Sequence, residues 1–299
     1  MNRTKQLTML SFFQLIFGHV LNFFTSLLYV NNSLQSGGDD QKVDRLDKRV
    51  EILHQNENFL IVNKPPDLLI NGGDADVNDT LHTRLENQFP ALICRELKYS
   101  FYFPHRLDYS TSGLIAIALN KEACNLMRQY FEKRCVRKYY LALVRGIVSQ
   151  TSLDVHDPIG YNLKEIGKSN AMCSPEFNPN CIHPRSAHTK FHVLSYGEYD
   201  SYPCTKLLIR IITGRRHQIR VHCSNLGHTI VGDYTYSGRK DVHPPRQMLH
   251  AYRLRVGQSL DFDFRTRDPF DAETLPQWKE DRVVADLNDE RVYDEIDQL

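Results

Sequence analysis

Apolar positions along this chain fall into short runs rather than long helical stripes. Residues 50–53 and 59–62 flank the polar stretch Gln55-Asn56-Glu57-Asn58, a hairpin-like pattern. Strand-length apolar or alternating segments recur at 114–119, 139–144, 189–194, 206–212, 248–256 and 260–264. Helical signals are confined to three places. Asp79 is placed to cap a helix over 80–89. Asn120 caps a second over 121–134, with Ala123, Met127 and Tyr130 on one face. A third covers 216–226 and is closed by Gly227. Strands outnumber helices and do not alternate regularly with them. That excludes a simple doubly wound α/β fold and predicts α+β with a mixed, largely antiparallel sheet.

The two ends depart from this pattern. Residues 7–30 contain no Asp, Glu, Lys or Arg, and sixteen of the twenty-four are apolar. That length can span a bilayer. Gln14, His19 and Asn22 weaken the span, and only Arg3 and Lys5 are available to make a transit peptide. Membrane association, organelle targeting and a misassigned start of translation all stay open for residues 1–30. Residues 31–49, with Gly37-Gly38-Asp39-Asp40, read as a linker. The domain itself is expected over 50–267, with a surface insertion at 164–185 and an acidic tail at 268–299. The sequence shows no internal repeat.

Composition is that of an ordinary globular protein, and 299 residues suffice for a substantial core. Seven cysteines without regular pairing point to a reducing compartment, cytoplasmic or mitochondrial. The glycosylation sequons at Asn31 and Asn78 would be silent there. The formal net charge of +1 hides an uneven distribution. Residues 205–255 hold ten Lys or Arg against two Asp, and 121–145 hold seven against two Glu. Residues 256–299 hold thirteen Asp or Glu against five Lys or Arg. Basic segments interleaved with Tyr and His suit a phosphate backbone and unstacked bases; solvated faces are the plain alternative.

One stretch carries chemistry. In His105-Arg106-Leu107-Asp108-Tyr109-Ser110-Thr111-Ser112-Gly113-Leu114, an Arg-x-Asp pair precedes a turn and then a buried strand. A lone carboxylate, Asp108, thus sits at a strand mouth. On the residues alone, a structural salt bridge is the commoner use of such a pair. The pair His217-x4-His222, followed by Cys223, is not spaced i, i+4. Its side chains diverge on a helix, so no metal is expected there.

The same stretch resembles the signature loop of the RluA-type pseudouridine synthases at every fixed position. Lys138-Tyr139-Tyr140-Leu141-Ala142-Leu143-Val144 resembles that family's second motif, and residues 213–222 (Thr-Gly-Arg-Arg-His-Gln-Ile-Arg-Val-His) its third, continued by 227–233. Leu249-His250-Ala251 resembles a further element. The overall pattern is similar to the eukaryotic RNA pseudouridylate synthase domain-containing proteins. Residues 1–49 do not resemble the S4 RNA-binding domain that some members carry.

The resemblance implies a pseudouridine synthase fold with a central catalytic cleft. It also implies isomerisation of uridine in transfer, ribosomal or messenger RNA by a monomer without cofactor or metal. It assigns the nucleophile to Asp108 and its ion-pair partner to Arg220, with Ile219 packed beside the base. Tyr140 would stack on the flipped uracil, and Arg106 would fill the vacated stack. Lys138 would neighbour the site or a phosphate, and Arg215 and His217 complete the expected RNA contacts. Tyr139, adjacent to Tyr140 on a strand, should point the other way, into the core. A catalytically silent RNA-binding protein retaining the fold is the alternative reading, and a membrane-tethered interaction protein a third.

Overall fold

The computed structural model describes residues 48–72, 79–257 and 260–299. The apolar segment 7–30, nearly all of the expected linker, and Asn31 and Asn78 lie outside them. Among the described residues no helix is long and apolar enough to cross a membrane.

The elements run β1 (Glu51–Gln55), β2 (Phe59–Lys64), α1 (Leu81–Gln88), β3 (Ser112–Ala118), α2 (Lys121–Glu132), β4 (Val136–Arg145) and β5 (Ser152–Val155). A small insertion follows with β6 (Ile159–Asn162), β7 (Met172–Cys173) and β8 (Cys181–Arg185). Then come β9 (Thr189–Tyr199), β10 (Tyr202–Ile211), α3 (Gln218–Asn225), β11 (Leu249–Val256), β12 (Phe262–Arg265), β13 (Trp278–Val283) and α4 (Glu290–Gln298). The α+β expectation holds. Ten strands form one sheet, in the order β1-β2-β3-β11-β4-β10-β9-β13, with β12 on β11 and β5 on β9. Its pairings are antiparallel except for β3 with β11. The inserted segment begins earlier than the expected 164–185: residues 159–185 form a separate three-stranded sheet, ordered β7-β6-β8.

Strands β2 and β3 read as continuous apolar runs because both of their faces are covered. Phe59 and Ile61, with Leu114, Ala116 and Ala118, face α2 through Ala123, Met127 and Tyr130. The alternate residues Leu60, Val62, Ile115 and Ile117 share a cluster with Leu81 and Leu85 of α1. The period of two along each strand thus feeds two cores.

Three expectations need correction. Thr80, not Asp79, caps α1: its hydroxyl accepts from the Thr83 backbone N–H, while the Thr83 hydroxyl accepts from the Thr80 N–H. Asp79 instead takes Arg84 in a two-point pair at 2.7 and 3.0 Å. Helix α3 begins at Gln218 rather than 216, because the preceding loop folds back onto the Gln218 side chain. Gln218 Oε1 accepts from the Thr213 hydroxyl (2.7 Å) and the Arg215 N–H (2.9 Å), and His217 enters the helix with a left-handed φ of 54°.

The third correction is the largest. Residues 268–299 are not an acidic tail apart from the domain. Strand β13 pairs antiparallel with β9, placing Trp278 opposite Tyr199, and Trp278 is buried. Helix α4 buries Val292, Tyr293 and Ile296. Its Asp297 receives Arg210 (2.7 Å), Arg137 (2.8 Å) and the Tyr139 hydroxyl (2.9 Å). Glu290 pairs with Arg253 and Arg265. The opposed charges of the two segments therefore meet inside the fold. Part of the basic excess is neutralised there rather than offered to a ligand. Ordinary polarity hid this, because the few apolar residues of 268–299 are spaced too widely to look like a core.

Candidate active site

Asp108 is the first residue of a turn closed by the Thr111 N–H on its own carbonyl (3.2 Å). The turn delivers the chain into β3 through Gly113, whose φ is +109°. A Cβ at Gly113 would stand 2.2 Å from the Ala251 carbonyl oxygen, so only glycine lets β3 and β11 approach here. Register does the rest. Gly113 pairs with Ala251, and Ala251 with Tyr140, so the turn, β11 and β4 meet in one row across the sheet. His105 fastens the other end: its Nε2 accepts the Ala116 N–H at 2.8 Å, and burial, then Lys138, push its pKa down to about 3, so the ring is neutral.

Arg220 reaches this turn from α3. Its Nη1 lies 3.8 Å from Asp108 Oδ2, so the two residues expected to pair are brought together. The contact is long, however, and it is not the main one. The Nε and Nη2 groups of Arg220 donate to Asp233 at 2.6 and 2.9 Å, and the Asp233 carboxylate is wholly buried. Tyr236 covers the guanidinium, its ring centre 5.0 Å away, and its backbone N–H donates to Asp233 at 3.1 Å. His217 Nε2 lies 4.0 Å from Asp108, while its Nδ1 shares a 3.0 Å hydrogen bond with the Tyr236 hydroxyl. Burial first, then Arg220, Arg216 and Arg106, hold His217 down to about 2. It is therefore a neutral neighbour of Asp108 rather than a cation.

Arg220 was expected as the ion-pair partner of Asp108; its shortest contacts are instead with Asp233. Arg220→Met should cost about 3–5 kcal/mol by leaving a buried carboxylate unpaired. Combined with Asp233→Asn it should cost clearly less than the sum, whereas with Asp108→Asn the costs should nearly add. Chemical denaturation of the single and double variants checks both cycles.

Tyr140 is buried on β4, and burial, with the charge of Asp108 second, raises its hydroxyl well above the usual tyrosine range. It stays protonated. Tyr139 points into the core against Tyr293, with ring centres 5.0 Å apart. Lys138 is lowered to about 8 by burial, and its Nζ lies beside Gly214 and over the Phe131 ring. Ile219 is buried in the main core cluster. Arg106 is exposed. Arg215 is turned aside, its Nε donating to the Ser186 carbonyl at 2.8 Å, and Arg216 is the exposed member of that pair. The rings of His217 and His222 serve different partners. His222 takes the Thr189 hydroxyl and the Asp157 carbonyl, each at 2.9 Å.

The family described as RNA pseudouridylate synthase matches residues 58–225, which include Asp108, Tyr140 and Arg220. The chain is 41% identical over 243 residues to the RNA pseudouridylate synthase domain-containing protein 1 of Danio rerio, covering 81% of this chain and 82% of that protein. The chain belongs to the RNA pseudouridylate synthase family. It is also 33% identical over 217 residues to the dual-specificity RNA pseudouridine synthase RluA of Pasteurella multocida (strain Pm70), covering 70% of this chain and 87% of the relative. The solved structure of human RNA pseudouridylate synthase domain containing 1 superposes with a TM-score of 0.73 at 33% identity, over 89% of this chain and 98% of that one. The fold is that of the pseudouridine synthases, and the enzyme is an RNA pseudouridine synthase, an isomerase.

Sequence reasoning missed several residues of the synthase's site. Lys64 at the end of β2 is fully buried and donates to the carbonyls of Pro65 (3.0 Å), Leu68 (2.9 Å) and Tyr109 (2.9 Å). Burial lowers it to about 7, and the three carbonyls match the three donors of an ammonium. It thereby fixes the backbone next to Asp108. A lysine closing an otherwise apolar strand was the available signal. Asp233 ended a motif already in view, but nothing local tied it to Arg220. Behind the turn, His250 bridges the hydroxyls of Ser112 and Thr266, each at 2.6 Å. Only the β3–β11 crossing makes that bridge possible.

Proposed function

We propose that the synthase isomerises uridine within RNA by covalent catalysis from Asp108 on a flipped base. The observation that carries this reading is Asp108 at the mouth of β3, side chain 23% exposed, with Arg220 Nη1 3.8 Å away. A carboxylate that attacks must be ionised and reachable at once. The guanidinium sets a positive charge beside the carboxylate, and residual exposure leaves room for substrate. Because Asp233 takes the other edge of Arg220, the guanidinium can hold its place while Asp108 forms and breaks a bond.

A uridine stacked in RNA hides its reacting atoms, so the target must leave the stack. Tyr140 offers a ring face to the extruded base and a hydroxyl that stays protonated beside Asp108. Arg106, exposed and two residues before Asp108, fills the gap in this reading. Ile219, next to Arg220 on α3, packs beside the base, and Lys138 and Arg216 supply positive charge for neighbouring phosphates. The isomerisation breaks the N1–C1′ bond and joins C5 to C1′. It is redox-neutral and consumes no co-substrate.

Pseudouridine mapping across total RNA from cells with and without the chain tests the activity and reports whether transfer, ribosomal or messenger RNA is the target. Failure of any site to disappear would favour a silent RNA-binding protein. The role of Tyr140 is checked separately. Tyr140→Ala should lose stacking worth about 1–3 kcal/mol of RNA affinity, while Tyr140→Phe should bind nearly as wild type. Equal binding by the two variants, measured with a 5-fluorouridine-containing RNA, would remove Tyr140 from the base-contacting role.

A further inference from the structure

We propose that Asp154, His156 and His188 form a binding site for a divalent transition-metal ion of the zinc type. The site lies on the large sheet and does not depend on the role of Asp108.

Strand geometry places the three side chains together. Strand β5 pairs with β9 so that Asp154 faces Lys190 and Val155 faces Thr189. His156 follows Val155 and His188 precedes Thr189, so both leave the same end of the ladder. Residues 154 and 156 share a face because side chains alternate along an extended chain, and 188 joins them as the cross-strand neighbour. His188 Nε2 approaches Asp154 Oδ1 at 2.6 Å, and His156 Nε2 approaches Oδ2 at 3.2 Å. The two imidazoles stack, with ring centres 3.9 Å apart at 24°. One donor atom from each residue falls within 4.8 Å of the others.

Both Nε2 atoms are directed at the two oxygens of one carboxylate, so two nitrogen donors and one oxygen donor converge on a small, partly open volume. Two nitrogens and one oxygen suit Zn²⁺ and its first-row neighbours, not Mg²⁺ or Ca²⁺, which prefer oxygen. Zinc at about 2.0–2.1 Å from each donor needs donor separations near 3.3 Å; the 2.6 Å contact must open to reach that spacing, and all three donors already lie within 4.8 Å of one another. The side chains are 31%, 65% and 23% exposed, which leaves the remaining positions to water and gives the ion a path in.

Such an ion would bear on the third motif. The His188 N–H donates to the Thr213 hydroxyl (2.9 Å), and its carbonyl accepts from Gln218 Nε2 (2.9 Å). Thr213 and Gln218 bracket the loop that leads into α3 and Arg220. A metal on His188 would therefore tie β5 to β9 where that loop leans. The sequence concealed the site because His188 joins Asp154 and His156 only through strand pairing.

The test uses the full chain, stripped with a chelator and titrated with Zn²⁺ by calorimetry, with thermal melting alongside. One equivalent should bind saturably and raise the melting temperature, while Mg²⁺ at the same concentration should not. Replacing Zn²⁺ by Co²⁺ should give a visible ligand-field spectrum that is lost in the variants. Asp154→Ala, His156→Ala and His188→Ala should each weaken Zn²⁺ binding by at least about ten-fold. His156 is mostly exposed, so its variant will fold and is decisive on its own. No saturable Zn²⁺ binding by the wild type, or unchanged affinity in His156→Ala, would overturn the proposal.

Discussion

Asp108→Asn is expected to reduce pseudouridine formation by at least roughly 10³-fold, equivalent to about 4 kcal/mol of lost transition-state stabilisation, while RNA binding changes little. The amide keeps the shape of the side chain but cannot act as a nucleophile. The fold should tolerate the change, because Arg220 is anchored by Asp233 and Asp108 is not fully enclosed. Single-turnover assays with a tritiated or mass-labelled RNA, beside a binding titration, measure both quantities. Turnover within ten-fold of wild type would remove Asp108 from the covalent role. A parallel loss of RNA affinity would recast it as a binding residue.

The second large effect is on stability. Truncation after Arg267 should prevent folding rather than expose a basic surface. It deletes Phe270, Leu275, Trp278, Val292, Tyr293 and Ile296, all buried. At about 1.5–3 kcal/mol for each large apolar side chain, their loss is roughly 9–18 kcal/mol. That matches or exceeds the ~5–15 kcal/mol by which a typical domain is stable. The cut also strips buried cations of their partners. Lys206 loses Asp268 and the Phe270 carbonyl, Arg253 loses Glu290, and Arg210 loses Asp297. It leaves the edge of β9 unpaired along the length now held by β13. Circular dichroism and limited proteolysis of the truncated chain decide the matter. A cooperative melt within a few degrees of the full chain would show that these contacts contribute little.

How much of this was legible in the sequence depended on how local each determinant is. The strands of the large sheet announced themselves because burial on both faces makes β2, β3 and β4 nearly continuous in apolar residues. The sequence motifs that hold Asp108, Tyr140 and Arg220 stood out because each is a run whose neighbours are also constrained, by a turn, a strand register and a helix start, and the fold brings Arg220 to 3.8 Å from Asp108. The failures are non-local. Asp233 could not be told from a surface aspartate until α3 was laid against it. The end of the chain looked like a solvated tail because its charges outnumber its apolar residues, and those charges find partners far away in sequence, at Arg137, Arg210 and Arg253. Thr80 took the cap expected of Asp79 because Arg84 and Lys48 already claim that carboxylate. Competition of this kind appears in no single-residue preference.

The order of strands has a consequence for how the enzyme comes into being. Strand β11 lies between β3 and β4, although it follows both by more than a hundred residues of chain. Until it is made, β3 and β4 present bare edges to each other and to solvent, and the row through Gly113, Ala251 and Tyr140 does not exist. Late-arriving central strands make folding slow and leave sticky edges waiting. A nascent chain therefore carries two incomplete half-sheets from the completion of β10 at Ile211 until β11 begins at Leu249. A chain cut short before β11 lacks the strand that joins the Asp108 turn to Tyr140.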